Sequence, residues 1–247
     1  MKEKYQLPII AGSIVLIFAI FIGVVLLTSD DDEIKKRYKE VMTELDNKDY
    51  FYVTQTRETI YTTGEQSLET NEVWANGESF AKSGRNDFMN DTLHTYELEV
   101  QLSRGEKYRI YVDETGEKTT SKYSGTAWLF SKITYFNSKF SFCWDENISY
   151  VEKEDGWIVT YDAKNMIGER VESRPSDSTY IEASSVCYFD KNWNVQKIEL
   201  LEVYQINKED GSVQECEQKT TILFDEMSRE DIEQKINEAY EKILKEF

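Results

Sequence analysis

A side-chain period of two governs most of this chain. In HTYELEVQL, His94–Leu102, the residues Tyr96, Leu98, Val100 and Leu102 fall on one side, and Glu97, Glu99 and Gln101 on the other. That pattern fits an extended strand with one face turned to a core, as in antiparallel sheets. Tyr108, Ile110 and Val112 alternate likewise in KYRIYV, Trp157, Val159 and Tyr161 in WIVTY, and Phe140, Phe142 and Trp144 in FSFCW. Further strand-like runs are Phe51–Tyr61, Glu72–Ala75, Ser184–Phe189, Val195–Ile206 and Val213–Phe224. Turn signals stand between them at Asn76-Gly77, Asp113–Gly116, Glu154–Gly156 and Glu209–Gly211. Short turns between successive alternating strands imply a meander. No regular repeat supports a propeller or a solenoid. The polar stretch Asn165–Ser178, with Pro175, reads as the longest loop or a flap.

Helices bracket this region. Ile34, Tyr38, Val41, Met42 and Leu45 form one apolar stripe, which predicts a helix ending near Asn47. At the other end Ser228 and Asp231 give a helix-start signature. Ile232, Ile236, Tyr240, Ile243, Leu244 and Phe247 then share a face, which packs on the sheet by the logic of layered domains.

Ahead of all this lies LPIIAGSIVLIFAIFIGVVLL, Leu7–Leu27, without a charge. At 1.5 Å per residue a helix of that length spans about 30 Å, the thickness of a bilayer's hydrocarbon core. The run exceeds a signal-peptide apolar region, and no small-residue cleavage site follows it, so it is expected to stay as an anchor. The segments are then a short tail (1–6), a transmembrane helix (7–27), an acidic spacer (28–33) and a β-rich domain (34–247). Signal-anchor logic places that domain on the extracytoplasmic side of a cell membrane. The Lys/Arg balance gives no clean vote, because Lys35, Lys36, Arg37 and Lys39 follow the run.

A net charge of −18 and the lack of an Arg/Lys stripe argue against a nucleic-acid partner. Cys143, Cys187 and Cys216 show no CxxC spacing, and three cysteines cannot all pair within the chain. A single histidine, His94, rules out a multi-histidine metal site. No nucleophile elbow, phosphate loop or dinucleotide fingerprint is present. Asp190-Lys191-Asn192-Trp193-Asn194 opens like a calcium loop. It has Val195 and Leu201 where such a loop needs Gly and Glu, so a hairpin turn is expected. No metal and no cofactor is expected. With 47 Asp and Glu residues, a carboxylate-dependent hydrolase has no pair singled out by sequence.

The remaining signal is aromatic. Five Trp, 16 Tyr and 12 Phe cluster in the strand region. A large aromatic core is the plainer reading; an apolar cavity is the functional one. The densest stretch is Thr126–Trp144. Trp128, Phe130, Tyr135, Phe136, Phe140, Phe142 and Trp144 are the candidate ligand-binding residues.

The order of elements resembles the lipoprotein-carrier superfamily, the LolA- and LppX-like half-barrels. The resemblance is carried by the entry helix Ile34–Leu45, WANGESF, GEKYRIYVDETGEKTTSKY and DKNWNVQKIELLEVYQI. It implies a mainly β (α+β) fold, a curved antiparallel meander with an entry helix and a packed C-terminal helix. It also implies binding of a lipid-like molecule; those proteins are lipid-anchored or periplasmic, and this chain lacks their lipobox cysteine. The expected function is that of a non-enzymatic, membrane-anchored binding domain of the cell envelope, bacterial in pattern, holding a lipid-like or apolar ligand. A protein-interaction or sensory ectodomain with an envelope protein partner is the first alternative, and the hydrolase the second.

Overall fold

The computed structural model describes residues 33–45, 48–77, 79–89, 93–102, 105–124, 148–164, 167–169 and 177–247. The chain divides into two compact units, Met1–Met42 and Thr43–Phe247. Helix α1, 33–45, starts in the first. Its stripe Tyr38, Val41, Met42 and Leu45 is buried, as the spacing expects. Among the described residues no helix is long and apolar enough to cross a membrane. The run 7–27 lies outside them.

The second unit holds an antiparallel sheet, with eleven strands among the described residues. They are β1 (Tyr50–Tyr61), β2 (Gln66–Asn76), β3 (Ser79–Phe88), β4 (His94–Gln101), β5 (Glu106–Val112), β6 (Lys118–Ser124), β7 (Ile148–Lys153), β8 (Gly156–Asp162), β9 (Ser178–Asp190), β10 (Val195–Asn207) and β11 (Val213–Asp225). The spatial order is β6-β5-β4-β3-β2-β1-β11-β10-β9-β8-β7. The expected meander is therefore two meanders, joined where the first strand pairs with the last, from Tyr52↔Asp225 to Tyr61↔Cys216. The strands β6 and β7, consecutive in sequence, form the two opposite edges. The expected strand FSFCW and the aromatic stretch 126–144 lie in 125–147, outside the described residues. So does most of the expected loop 165–178. Of its described part, Gly168 and Glu169 exchange backbone hydrogen bonds with Tyr180 at the start of β9.

Helix α2, Arg229–Leu244, covers one face of β1–β5. Ser228 caps it by accepting from the Asp231 N–H, and Glu230 and Asp231 occupy the positive end of its dipole. Ile232, Ile236 and Ile243 are buried against Trp74, Ala81, Leu98, Val100, Tyr108 and Ile110. Each such side chain contributes about 1.5–3 kcal/mol on burial. Leu244 and Phe247, expected on the same stripe, are largely exposed. Helix ends are fastened by Arg229 Nε donating to Asn76 Oδ1 (2.9 Å) and by Lys118 pairing with Glu246 (2.6 Å).

The opposite face carries a second buried layer. It runs through Phe51, Val53, Val73, Ala75 and Phe80, and on through Ile222, Ile198, Leu200, Tyr204, Cys187, Phe189, Val159 and Tyr161. Strand alternation makes this unavoidable: the strands joined at the seam are buried on the face that α2 does not cover.

Candidate functional site

Directly paired residues of antiparallel strands point to the same face, so the registers show which side chains form rows on the face away from α2. One row runs Asn86–Glu69–Arg57–Thr220–Leu200–Ser185 across β3, β2, β1, β11, β10 and β9. The next runs Phe88–Ser67–Thr59–Gln218. A third contains Gly84–Asn71–Gln55. These rows make a polar stripe. Gln55, Thr59, Asn71, Ser185, Gln218 and Thr220 are all buried. Burying so many hydroxyls and amides on one face is costly unless they have partners. Among the described residues, Asn71 Oδ1 and Ser185 Oγ have none.

The stripe surfaces in a cleft of about 580 Å³ lined by β1, β2 and β3, among them Arg57, Thr59, Ser67, Glu69, Asn86 and Phe88. Glu65, Leu93 and Glu114 complete the lining and are exposed to solvent. Phe88 and Leu93 are each 38% exposed. Exposed apolar side chains beside buried hydroxyls and amides give a mixed surface of the size usual for small-molecule sites.

The central carboxylate of the cleft is already paired. Glu69 pairs with Arg57 (3.2 Å) and Lys82 (3.9 Å) and accepts from Asn71 Nδ2 (2.8 Å). The chain of ion pairs continues through Lys82–Glu97 (3.4 Å), Arg109–Glu97 and Lys107–Glu99 (2.8 Å). Burial opposes the Arg109 charge, but Glu97 and its neighbours hold the guanidinium above its ordinary pKa. Glu97 and Glu99, the polar side of HTYELEVQL, thus sit half-buried in a network. Glu69 is held in place by the Arg57 and Lys82 charges and by the Asn71 amide, and serves as a fixed acceptor. Asp113, Asp190, Glu199, Asp210 and Glu238 are held below the ordinary carboxylate range by hydrogen-bond donors beside them.

The expected site residues Trp128, Phe130, Tyr135, Phe136, Phe140, Phe142 and Trp144 lie outside the described residues. Of the other tryptophans, Trp74 stacks on Tyr52 beneath α2, and Trp157 stacks on Trp193 (5.4 Å) where two hairpins meet. His94 is exposed at the start of β4. Among the described residues no cluster of His, Cys, Asp or Glu is placed to hold a metal. Asp190 is spent on its turn, accepting from the backbone of Asn192 and Asn194 and from Asn194 Nδ2, each at 2.8 Å. The segment is the hairpin turn expected from its sequence. Reading residues one strand at a time missed the cleft. Arg57, Thr59, Ser67, Glu69 and Asn86 look like the wet side of ordinary strands, and only the pairing registers bring them together.

No family model matches the sequence, and no curated protein does. Among solved structures the chain is similar to a LolA superfamily protein from Nitrosomonas europaea. The identity is 7%, the TM-score 0.25, and the match covers 77% of this chain and 94% of the other. The weak resemblance drawn from the order of elements thus has a counterpart among solved structures.

Proposed function

We propose that the chain is a non-enzymatic binding domain, held at a cell membrane by residues 7–27 and displayed on the extracytoplasmic side, that takes a lipid-like or apolar ligand. The observation that carries the binding reading is the cleft: Phe88 and Leu93, each 38% exposed, beside a polar stripe of the sheet, with its central carboxylate already paired. In this reading the aromatic side chains Trp128, Phe130, Tyr135, Phe136, Phe140, Phe142 and Trp144 supply further apolar contacts. The anchor rests on the uncharged length of Leu7–Leu27, and the sidedness on signal-anchor logic. The test is native mass spectrometry of the full chain extracted from its own membrane. A co-purifying lipid or other apolar molecule is the expected result; a ligand-free protein that crosslinks to another protein overturns it. Resistance to carbonate extraction and digestion of the domain by protease added to intact cells check the anchor and its orientation.

One observation favours the alternative of a protein-interaction ectodomain. Among the described residues β6 and β7 have a neighbour on one side only, and Tyr123 and Val151 on them are about half exposed. Such edges can accept a strand from a partner. Lys118, Lys122 and Lys153 on the same strands oppose indiscriminate pairing.

A further inference from the structure

We infer that the cleft on β1–β3 reads an uncharged, hydroxyl-rich group, a sugar or polyol, whose apolar side lies against Phe88 and Leu93. The inference rests on the binding reading above and names the chemistry of the ligand's polar end. Three observations carry it. The first is the character of the lining: Thr59, Tyr61 and Ser67 offer hydroxyls and Asn86 an amide, groups that both donate and accept. A polyol presents the same dual character at every hydroxyl, whereas a phosphate only accepts and an ammonium only donates or does neither. The second is charge. The one cation of the lining, Arg57, is paired with Glu69. The two remaining carboxylates, Glu65 and Glu114, are exposed to solvent. The lining therefore has no cation left over for an anionic head, and its inner pair, Arg57 with Glu69, is neutral as a unit. Glu65 and Glu114 stand in water, where they neither hold a cation firmly nor repel an anion strongly. The third is the unmet hydrogen-bonding capacity of the stripe itself. Asn71 is 2% exposed, and its Oδ1 has no partner among the described residues. It neighbours Glu69 on the same strand, and its Nδ2 donates to Gln55 Oε1 (3.3 Å). In the lining itself Asn86 Oδ1, an acceptor, and Arg57 Nε, a donor, are likewise buried without a partner among the described residues. An unmet acceptor and an unmet donor in one row suit a hydroxyl, which serves as both. The volume of about 580 Å³ accommodates a single sugar ring together with the start of an apolar tail.

The experiment uses the full chain in lipid nanodiscs, with empty nanodiscs as the blank, and titrates three probes of equal tail: hexyl glucoside, hexyl phosphate and hexyltrimethylammonium. Hexyl glucoside is expected to bind at least tenfold more tightly than the other two. Asn86→Leu and Phe88→Ala are each expected to weaken it about tenfold with an unchanged far-UV spectrum. Asn86→Gln, which keeps the amide, is expected to lose less than Asn86→Leu. Methyl glucoside, the sugar without the tail, separates the sources: weaker binding than hexyl glucoside identifies the head of an amphiphile, and equal binding a free sugar. Either preserves the inference, and the second overturns the lipid-like reading alone. Preference for the phosphate or the ammonium overturns the inference, as does equal binding of all three probes, which leaves the apolar reading standing. If no probe binds, the stripe is satisfied by water alone and the inference falls, while the native mass spectrum decides the broader reading independently.

Discussion

At the scale of single residues, Trp193 is the position where local geometry and side chain disagree. In the turn Asp113–Glu117 the Asp113 N–H donates to the Glu117 carbonyl, the Gly116 N–H donates to the Asp113 carbonyl, and Gly116 has φ +84°. Asp190–Asn194 repeats both bonds, but its fourth residue is Trp193, at φ +65°. A left-handed residue with a Cβ costs about 1–2 kcal/mol. Trp193 lies against Trp157 (5.4 Å) and Phe189 (5.3 Å), and each aromatic pair is worth about 0.5–1.5 kcal/mol beyond the area it buries. Two pairs plus burial outweigh the strain. Trp193→Gly is therefore expected to lower stability by about 1–2 kcal/mol in urea titration, and a gain would show that backbone strain dominates. In the same turn, burial pushes the Asp190 carboxyl upward, but the Asn194 side chain and the N–H groups of Asn194 and Asn192 bring it below the ordinary range. A depressed carboxyl stabilises the fold above its unfolded pKa and loses that contribution as pH falls through the folded one. The gap in melting temperature between the native chain and Asp190→Ala should be wide at neutral pH and narrow toward pH 3. A third residue prediction concerns Gly84. An ideal Cβ there would stand 2.4 Å from Asn71 Oδ1. Gly84→Ala must displace a buried amide that bonds Gln55 and Glu69, with an expected cost of about 1–3 kcal/mol by thermal denaturation; no change would mean that Asn71 is free to move.

At the scale of elements, legibility in the sequence followed the cleanness of alternation. In KYRIYV and WIVTY the two faces have different surroundings, so the pattern survives; both are strands, β5 and β8. By contrast β3, SFAKSGRNDF, shows no such signal. Its inward residues toward α2 include Ala81, its other face holds Lys82, Gly84 and Asn86, and both faces meet other side chains. The strand β2 is longer than expected for the same reason, since Asn71 and Glu69 are polar residues in the interior. The closing helix was readable because its stripe and its cap agree. Its packing can be measured: Ile236→Ala, a truncation beneath α2 on the sheet, should cost about 2–5 kcal/mol in chemical denaturation. A cost under about 1 kcal/mol would mean that the helix is only loosely seated.

At the scale of the whole molecule, alternation tells which face a side chain occupies but not which strand lies beside it. Short turns disclose hairpin neighbours; the β1–β11 pairing has no turn and left no trace in the sequence. That order decides the cysteine question in part. Cys187 lies on β9, in the row of Ile198 and Ile222, whereas Cys216 lies on β11, six residues along from Ile222. Two strand spacings and that offset separate them by about 20 Å, far beyond the ~7 Å limit for a disulfide. Both are buried. Peptide mapping without reduction should find no Cys187–Cys216 crosslink, and only unfolding should expose both thiols to alkylation. The seam between the first strand and the last has a kinetic meaning as well. Neither meander can join the other until the chain has been synthesised as far as Asp225, so an emerging polypeptide holds a half-sheet with a bare inner edge for most of its birth. Until β11 arrives, that edge is closed by nothing but the chain's own turns and charges.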